Sequence, residues 1–206
     1  MVLVGRALAQ VSLIVFALQR ALQAGIGPVR ARAELSDVAV QKADGGFDSV
    51  WDVAAHKLMA HSTVMPAPPD ASAQTATLHI RTPLRLQHQG RPLRVDELSP
   101  RTLLTTIMRR ASLLLEIHAG QTGLFGNPTE LAQQAQSLQD IRHLRWRDWT
   151  RYSSRQKQEM TLGGVLGEWT LTGNLDGLAY WLWLGQWLHA GKNATMGMGR
   201  YEATFC

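Results

Sequence analysis

The order of periodic segments after residue 75 constrains this chain more than any other feature. Thr75 to Leu86 alternates, with Ala76, Leu78 and Ile80 on one face and Thr77, His79 and Arg81 on the other, the pattern of a half-buried strand. Ser99 and Pro100 cap and open a helix that runs to about Ala119, with Leu103, Ile107, Ala111, Leu114 and His118 on one stripe. Gln121 to Gln139 carries a short helix near Glu130 to Ser137. Leu144 to Tyr152 alternates again, Leu144 and Trp146 opposing His143, Arg145 and Arg147, and a loop over Ser153 to Glu159 follows. A strand from about Met160 to Thr172 is interrupted by Gly163, Gly164 and Gly167. Asp176 and Gly177 lead into an aromatic helix, Leu178 to Ala190, and Gly199 to Phe205 alternates as a last strand. Strand, helix, strand, strand, helix, strand is the ferredoxin-like βαββαβ order that also underlies RNA-recognition motifs, so the fold class is α+β.

The chain ahead of that domain is shorter and less complete. A first helix spans about Gly5 to Ala24, where Leu8, Val11, Val15, Leu18 and Leu22 recur at helical spacing and predict a core-facing stripe. It ends at Gly25 to Pro28, where glycine supplies a cap and proline forbids continuation. A strand is expected from Val29 to Val40, a turn at Asp44 to Gly46, and a returning strand from Phe47 to Val53. Pro66 to Gln74, rich in proline and small residues, is the linker. The resulting division is 1–65, the remainder of a first ferredoxin-like domain; 66–74, linker; and 75–206, a complete second domain. With only a helix and one or two strands, the first domain reads as lacking its front portion.

Charge is the next discriminator. The net charge is +5, and arginine outnumbers lysine 17 to 4. The windows Arg81 to Arg110 and Arg142 to Lys157 carry 13 of the 21 basic residues against only Asp96, Glu97 and Asp148. They are therefore net +10 and the remainder of the chain net −5. Clustered cations gain by displacing counterions from a phosphate backbone, and guanidinium forks phosphate oxygens where lysine offers only a point charge. The pattern points to a polyanion partner; a solvated surface of arginines is the plain alternative. The uncharged apolar stretches Ala7 to Gln19 and Gly177 to Gly191 fall short of the roughly 18 residues that cross a bilayer, so no membrane span is expected. A single cysteine, Cys206, excludes a disulfide framework and a thiolate metal knuckle, and a cytoplasmic protein is the expectation.

The segment from Leu188 to Tyr201, glycine-rich and joining the last helix to the last strand, resembles the signature of the CRISPR-associated repeat-RNA-processing endoribonucleases of the RAMP superfamily. The likeness extends through Arg151 to Lys157, Gly163 to Gly167, Thr82 to Leu86, Gly5-Arg6 and Gly25 to Gly27, and is weakest over 41–74 and 120–140. It implies a tandem pair of ferredoxin-like domains that binds CRISPR repeat RNA and cuts the precursor without metal or other cofactor. In that reaction the 2′-hydroxyl attacks the adjacent phosphate and leaves a 2′,3′-cyclic phosphate and a 5′-hydroxyl. Other CRISPR effector subunits are the protein partners it implies. Many members carry their acid/base histidine in the first domain, whose front reads as lacking in this sequence, so no residue is carried over as that histidine.

Candidate residues follow from the residue types beside that resemblance. Gly191, Gly197 and Gly199 offer bare backbone to a phosphate, with Lys192 and Arg200 as counter-charges; a turn packed through its glycines is the alternative. Arg145, Arg147, Arg151, Arg155 and Lys157, interleaved with Trp146, Trp149 and Tyr152, suit phosphate contacts with base stacking. His189, two residues before Gly191, is the first candidate acid/base, with a hydrogen-bonded helix-end histidine as its alternative, and His143 is the second. His118 reads as core, and His56 and His61 are badly spaced for zinc. Gly185 to Asn193 fails as a phosphate-binding P-loop, with the wrong spacing and Asn193 where Ser or Thr belongs. Two other classes stay open: a non-catalytic RNA-binding RAMP subunit or remnant, and a basic module that binds a protein through tryptophan-rich surface.

Overall fold

The computed structural model describes residues 1–62, 64–70, 72–122, 127–153 and 158–206. Two compact units divide the chain: Leu3–Ala67, and Pro68–Cys206 with Met1–Val2.

In the first unit a 3-10 turn, Gly5–Gln10, runs into helix α1, Val11–Ala24. The expected core-facing stripe is buried only in part. Val15 alone is fully buried, Val11 and Leu22 are half-buried, and Leu8 and Leu18 are each 42% exposed. Counted with its two arginines, Gly5–Ala24 is 20 residues long with a mean hydropathy of 1.3, enough by length and composition to cross a membrane. Arg6 and Arg20 bound the uncharged stretch Ala7 to Gln19, which is why that stretch by itself is too short. Most of the strand expected over Val29 to Val40 does not form: only β1, Ala39–Gln41, pairs with β2, Phe47–Ser49, around the Asp44 to Gly46 turn. The alternation of arginine with alanine upstream supplies little apolar surface and no facing strand, and a strand without a hydrogen-bonding partner does not persist. β3, Trp51–Asp52, and β4, Lys57–Leu58, make a second small hairpin.

The second unit is built on β5, Thr75–Leu84. A short hairpin, β6 (Gln87–His88) with β7 (Arg91–Pro92), precedes α2, Pro100–Ala119, which Ser99 caps by accepting from the Thr102 N–H at 3.2 Å. α3, Pro128–Gln136, leads to β8, Gln139–Arg147; β9, Thr150–Ser153, and β10, Gln158–Thr161, pair antiparallel, and residues 154–157 of the loop expected over Ser153 to Glu159 lie outside the described residues. β11, Gly164–Thr172, α4, Leu178–Leu188, and β12, Tyr201–Phe205, complete the unit. The sheet order is β12-β5-β11-β8 and every pairing is antiparallel, which is the ferredoxin-like arrangement. The alternation foreseen in β5 and β8 is present: Ala76, Leu78 and Ile80 are buried, as are Val165, Trp169 and Leu171 of β11. Leu103, Leu104 and Ile107 of α2 and Leu178 and Leu182 of α4 are buried with them, so the core occupies one face of the sheet and the other is open.

The last helix and last strand are locked together. Tyr201 is buried and donates its hydroxyl to the Leu182 carbonyl at 2.6 Å, while burial pushes its phenol far up in pKa. Gly185 makes this possible, since a Cβ there would lie 2.1 Å from the Tyr201 hydroxyl. The connection from α4 to β12 then wraps the exit of β5. Lys192 N–H donates to the Arg85 carbonyl at 2.9 Å, Gly199 N–H to Pro83 at 3.1 Å, and Ala190 N–H to Gly199 at 3.0 Å. Gly199 has φ +70°, and a Cβ on it would sit 1.7 Å from the Ala190 oxygen. Gly197, at φ +85°, has nothing within 4 Å. Both alanine replacements meet the left-handed backbone penalty of about 1–3 kcal/mol, and only Gly199→Ala adds a collision. Urea unfolding is expected to show a clearly larger loss for Gly199→Ala than for Gly197→Ala; equal losses would refute this account of the connection.

Candidate nucleic-acid interface

The exit of β5, the start of β11, the end of β8 and the start of β12 share one end of the sheet, as the registers Val165 to Leu84, Gly164 to Arg147 and Tyr201 to Ile80 show. Topology thus brings two basic stretches separated in sequence to a common place. Arg147 and Arg145 stand on the exposed face of β8, and Arg200 and Lys192 are exposed in the connection to β12. Arg145, Arg147 and Lys192 form no ion pair among the described residues. Arg200 reaches Glu202 at 3.4 Å, and Glu202 also holds Arg81 at 2.6 Å.

Other basic residues in these stretches are structural. Arg142 turns to the opposite face of β8, where its guanidinium clasps Asp140 through two nitrogens and donates to the Val95 and Asp96 carbonyls at 3.1 and 3.2 Å. Trp169 donates its indole N–H to the same carboxylate at 2.7 Å and lies 5.9 Å below the Arg142 guanidinium. Burial alone would raise the Asp140 pKa, but the hydrogen bonds from Arg142 and Trp169 outweigh it and hold the carboxyl low. Arg91 is paired with Glu97, whose carboxyl that hydrogen bond brings down to about 2. Arg94 stacks 5.7 Å from the Trp146 ring centroid, and Trp146 donates to Asp148 at 2.8 Å.

The glycine-rich segment shows both of the properties weighed from sequence. Gly191 and Gly199 are held against backbone, a Cβ on Gly191 meeting the Arg85 oxygen at 2.5 Å, and Gly197 faces open space. The Thr82 hydroxyl donates to the Gly197 carbonyl and accepts from the Arg200 N–H, each at 2.8 Å, so the segment is laced to β5 on both sides. His189 caps α4 with a half-buried ring. Burial lowers its pKa, a hydrogen bond at the Met198 backbone opposes that, and Nδ1 is buried without a partner. Arg110 donates Nε–H to the preceding Leu188 carbonyl at 2.5 Å. Trp149 is exposed, and Trp181 and Trp183 are buried in the core. Arg151 lies on β9 opposite Met160, while Arg155 and Lys157 lie outside the described residues.

Sequence reasoning missed a cleft of about 680 Å³ on the open sheet face, lined by His79, Arg81, His143, Arg145, Leu166 and Glu168. His79 Nδ1 stands 3.3 Å from Glu168 Oε2. The alternation of β5 had put His79 and Arg81 on the polar face, but their partners depend on register. No group of three or more His, Cys, Asp or Glu side chains able to hold a metal ion occurs among the described residues.

A four-stranded antiparallel sheet with two helices on one face and a glycine-laced last connection is a ferredoxin-like domain carrying a basic end. Residues 78–201 match the model of the CRISPR-associated endoribonuclease Cas6, and residues 1–63 match a model described as an N-terminal domain. The chain belongs to the Cas6 family. Among solved structures it is similar to a Cas6 of Thermus thermophilus at 17% identity and a TM-score of 0.51, covering 66% of this chain and 55% of that one. A Cas6 product complex matches at 19% identity and TM-score 0.44, over 67% of this chain and 53% of that one. A partial complex of Cas6, RT, Cas1 and Cas2 matches at 20% and 0.46, over 66% and 23%. The chain therefore spans about half the length of the Cas6 structures it matches. No curated protein matches the sequence.

Replacing Asp140 with Asn removes the charge that Arg142 and Trp169 share, and an expected loss of about 1–3 kcal/mol in urea unfolding follows. A carboxyl held low contributes fully above its unfolded pKa of about 4 and loses that contribution as pH falls toward its folded value. The stability of the parent chain should therefore drop below pH 4 more steeply than that of Asp140→Asn; parallel curves would refute the assignment.

Proposed function

We propose that this chain binds CRISPR repeat RNA and cleaves the precursor transcript by attack of the RNA's own 2′-hydroxyl, without a metal. The observation that carries the reading is the family match over 78–201, which includes both the basic strand and the glycine-rich connection. Support comes from Arg145, Arg147 and Lys192, which form no ion pair among the described residues, at the end of the sheet where Gly197 leaves the backbone open. Arg145, Arg147, Arg151, Arg155, Lys157, Lys192 and Arg200 are the proposed phosphate contacts. Gly191, Gly197 and Gly199 shape the surface that the backbone of the RNA follows. His189, beside that surface, and His143, on the open sheet face, are the acid/base candidates that the sequence singles out. The partners are repeat RNA and other CRISPR subunits, and the compartment is the cytoplasm.

The deciding experiment is cleavage of the host's repeat RNA in EDTA, beside a substrate with deoxyribose at the scissile position. Cleavage of the first and not the second is expected. Cleavage that needs an added metal would overturn the mechanism, and binding without cleavage would leave a non-catalytic RNA-binding subunit. Each phosphate contact also contributes to the salt dependence of binding. Arg145→Ala and Arg147→Ala are each expected to reduce the slope of log K against log salt by about 0.7–1, read by fluorescence anisotropy. Unchanged slopes would remove them from the interface.

A further inference from the structure

A second cleft, of about 310 Å³, lies at the edge of the sheet and is lined by Arg91, Pro92, Arg94, Trp146 and Asp148. One wall comes from β8 and the turn after it. Trp146 alternates with Arg145 and Arg147 along that strand, so it lies on the opposite face from them, and β8 is the last strand in the sheet order. The Trp146 indole N–H donates to Asp148 Oδ1 at 2.8 Å, and Oδ2 takes no hydrogen bond among the described residues. Gly163 leaves the room that this pair needs. A Cβ there would lie 2.8 Å from Asp148 Oδ1 and 3.0 Å from Trp146 Cζ2.

The other wall is the segment from Arg91 to Arg94. The β6–β7 hairpin carries it, closed by the Leu93 N–H donating to the Leu86 carbonyl at 2.9 Å, with Leu93 itself buried. Glu97 is engaged twice, accepting from the Arg91 guanidinium at 3.0 Å and from the Arg94 N–H at 2.8 Å. The Arg94 guanidinium forms no ion pair among the described residues. It stands 5.7 Å from the Trp146 ring centroid, close to the roughly 6 Å limit of a cation–π contact. The cleft therefore offers a ligand three groups: the half-buried indole, the Arg94 guanidinium and the second oxygen of Asp148. Asp148 is also the one acid between Arg142 and Lys157, so the single carboxylate of the basic window is the one placed here.

An aromatic wall selects a planar ring, and the charges beside it decide which ring. The bond from Nε1 sets the carboxylate at the edge of the indole, where the rim of a stacked ring meets it. An ionised carboxylate only accepts, so it favours a rim with two adjacent N–H donors and repels one that presents a carbonyl or a bare ring nitrogen. Of the four RNA bases guanine alone has that pair, N1–H and N2–H, and its O6 and N7 are acceptors that a guanidinium forks. We propose that this cleft binds an unpaired guanine of the RNA by its Watson–Crick rim, an assignment that deepens the RNA-binding reading above and rests on it. Trp146 stacks on the base. Asp148 accepts from N1–H and N2–H through Oδ2 and the remaining lone pair of Oδ1, and Arg94 faces O6 and N7. The base must be unpaired, because pairing uses the same rim. Since β8 ends the sheet, an RNA strand whose phosphates meet Arg145 and Arg147 on one face can turn a base around the edge to the other.

The test has two arms, both on the full chain. In the first, NMR follows the indole N–H signals of the seven tryptophans as single nucleotides are added to about millimolar concentration, the Trp146 signal being the one that Trp146→Phe removes. GMP is expected to shift that signal saturably. AMP, CMP, UMP and IMP, the last lacking the N2 amino group, should act at least about tenfold more weakly. Asp148→Asn keeps an acceptor for the indole but puts an amide N–H where a carboxylate oxygen stood, so it should lose GMP and gain XMP, whose C2 carbonyl accepts. A merely structural role for Asp148 would not exchange one base for another. In the second arm inosine replaces each guanine of the repeat RNA in turn, with affinity read by fluorescence anisotropy. One position is expected to cost the parent chain about tenfold and to cost Asp148→Asn nothing further. A Trp146 signal that ignores GMP or answers AMP equally overturns the guanine site, as does an inosine scan that is flat or unchanged by Asp148→Asn; phosphate-driven RNA binding then stands. A chain that selects GMP but binds no repeat RNA overturns the RNA reading and leaves a pocket for a free nucleotide.

Discussion

The backbone lacing at the exit of β5 is the interaction on which the second unit depends. Three carbonyl or hydroxyl groups there, on Pro83, Arg85 and Thr82, are taken up by the connection between α4 and β12. Those bonds fix where Arg200 lies and therefore where Tyr201 enters the sheet. Tyr201 in turn ties β12 to α4 through the Leu182 carbonyl. A strand at the sheet edge that arrives after a helix and a long connection has many registers open to it, and this lacing selects one.

The same geometry decides which cations are free. A count of basic residues treats Arg142 and Arg145 alike, since both lie in the richest window. Their side chains point to opposite faces of β8, and the consequences differ. Arg142 spends its guanidinium on Asp140 and two carbonyls, anchoring the strand to the turn at Val95–Glu97, whereas Arg145 keeps its charge in a cleft. An electrostatic footprint read from sequence therefore mixes groups that hold the scaffold with groups that face a ligand, and only the pleat separates them.

That distinction explains what was legible beforehand. The βαββαβ order could be read because each segment carries its own periodicity, its own cap or its own glycine; the Ser99 cap stands where the pattern put it, while the strand read from Leu144 begins earlier, at Gln139, and ends at Arg147. The stretch Val29 to Val40 misled because alternation is a property of a single segment, while a strand requires a second one. α1 misled for the reverse reason: its spacing was helical, but the burial of its stripe depends on what covers it. The relation of His79 to Glu168 and His143 was hidden more deeply. Those residues lie 89 and 64 positions apart by their numbers, and only register across two strand pairs brings them into one row. Half of the cleft, His143 and Arg145, was visible from charge and alternation; the other half needed the sheet.

The glycines of the last connection have a consequence for how such chains are recognised. Gly199 exists because an oxygen of the same segment occupies the space a side chain would need, and Gly191 because a β5 carbonyl does. Their presence is enforced by backbone against backbone, whatever passes over the outer surface. A lineage that lost every imidazole and arginine of its cleft would still be compelled to keep them in order to fold. These two glycines are accordingly a record of architecture, and any chemistry is written elsewhere, in side chains that the fold leaves free to change.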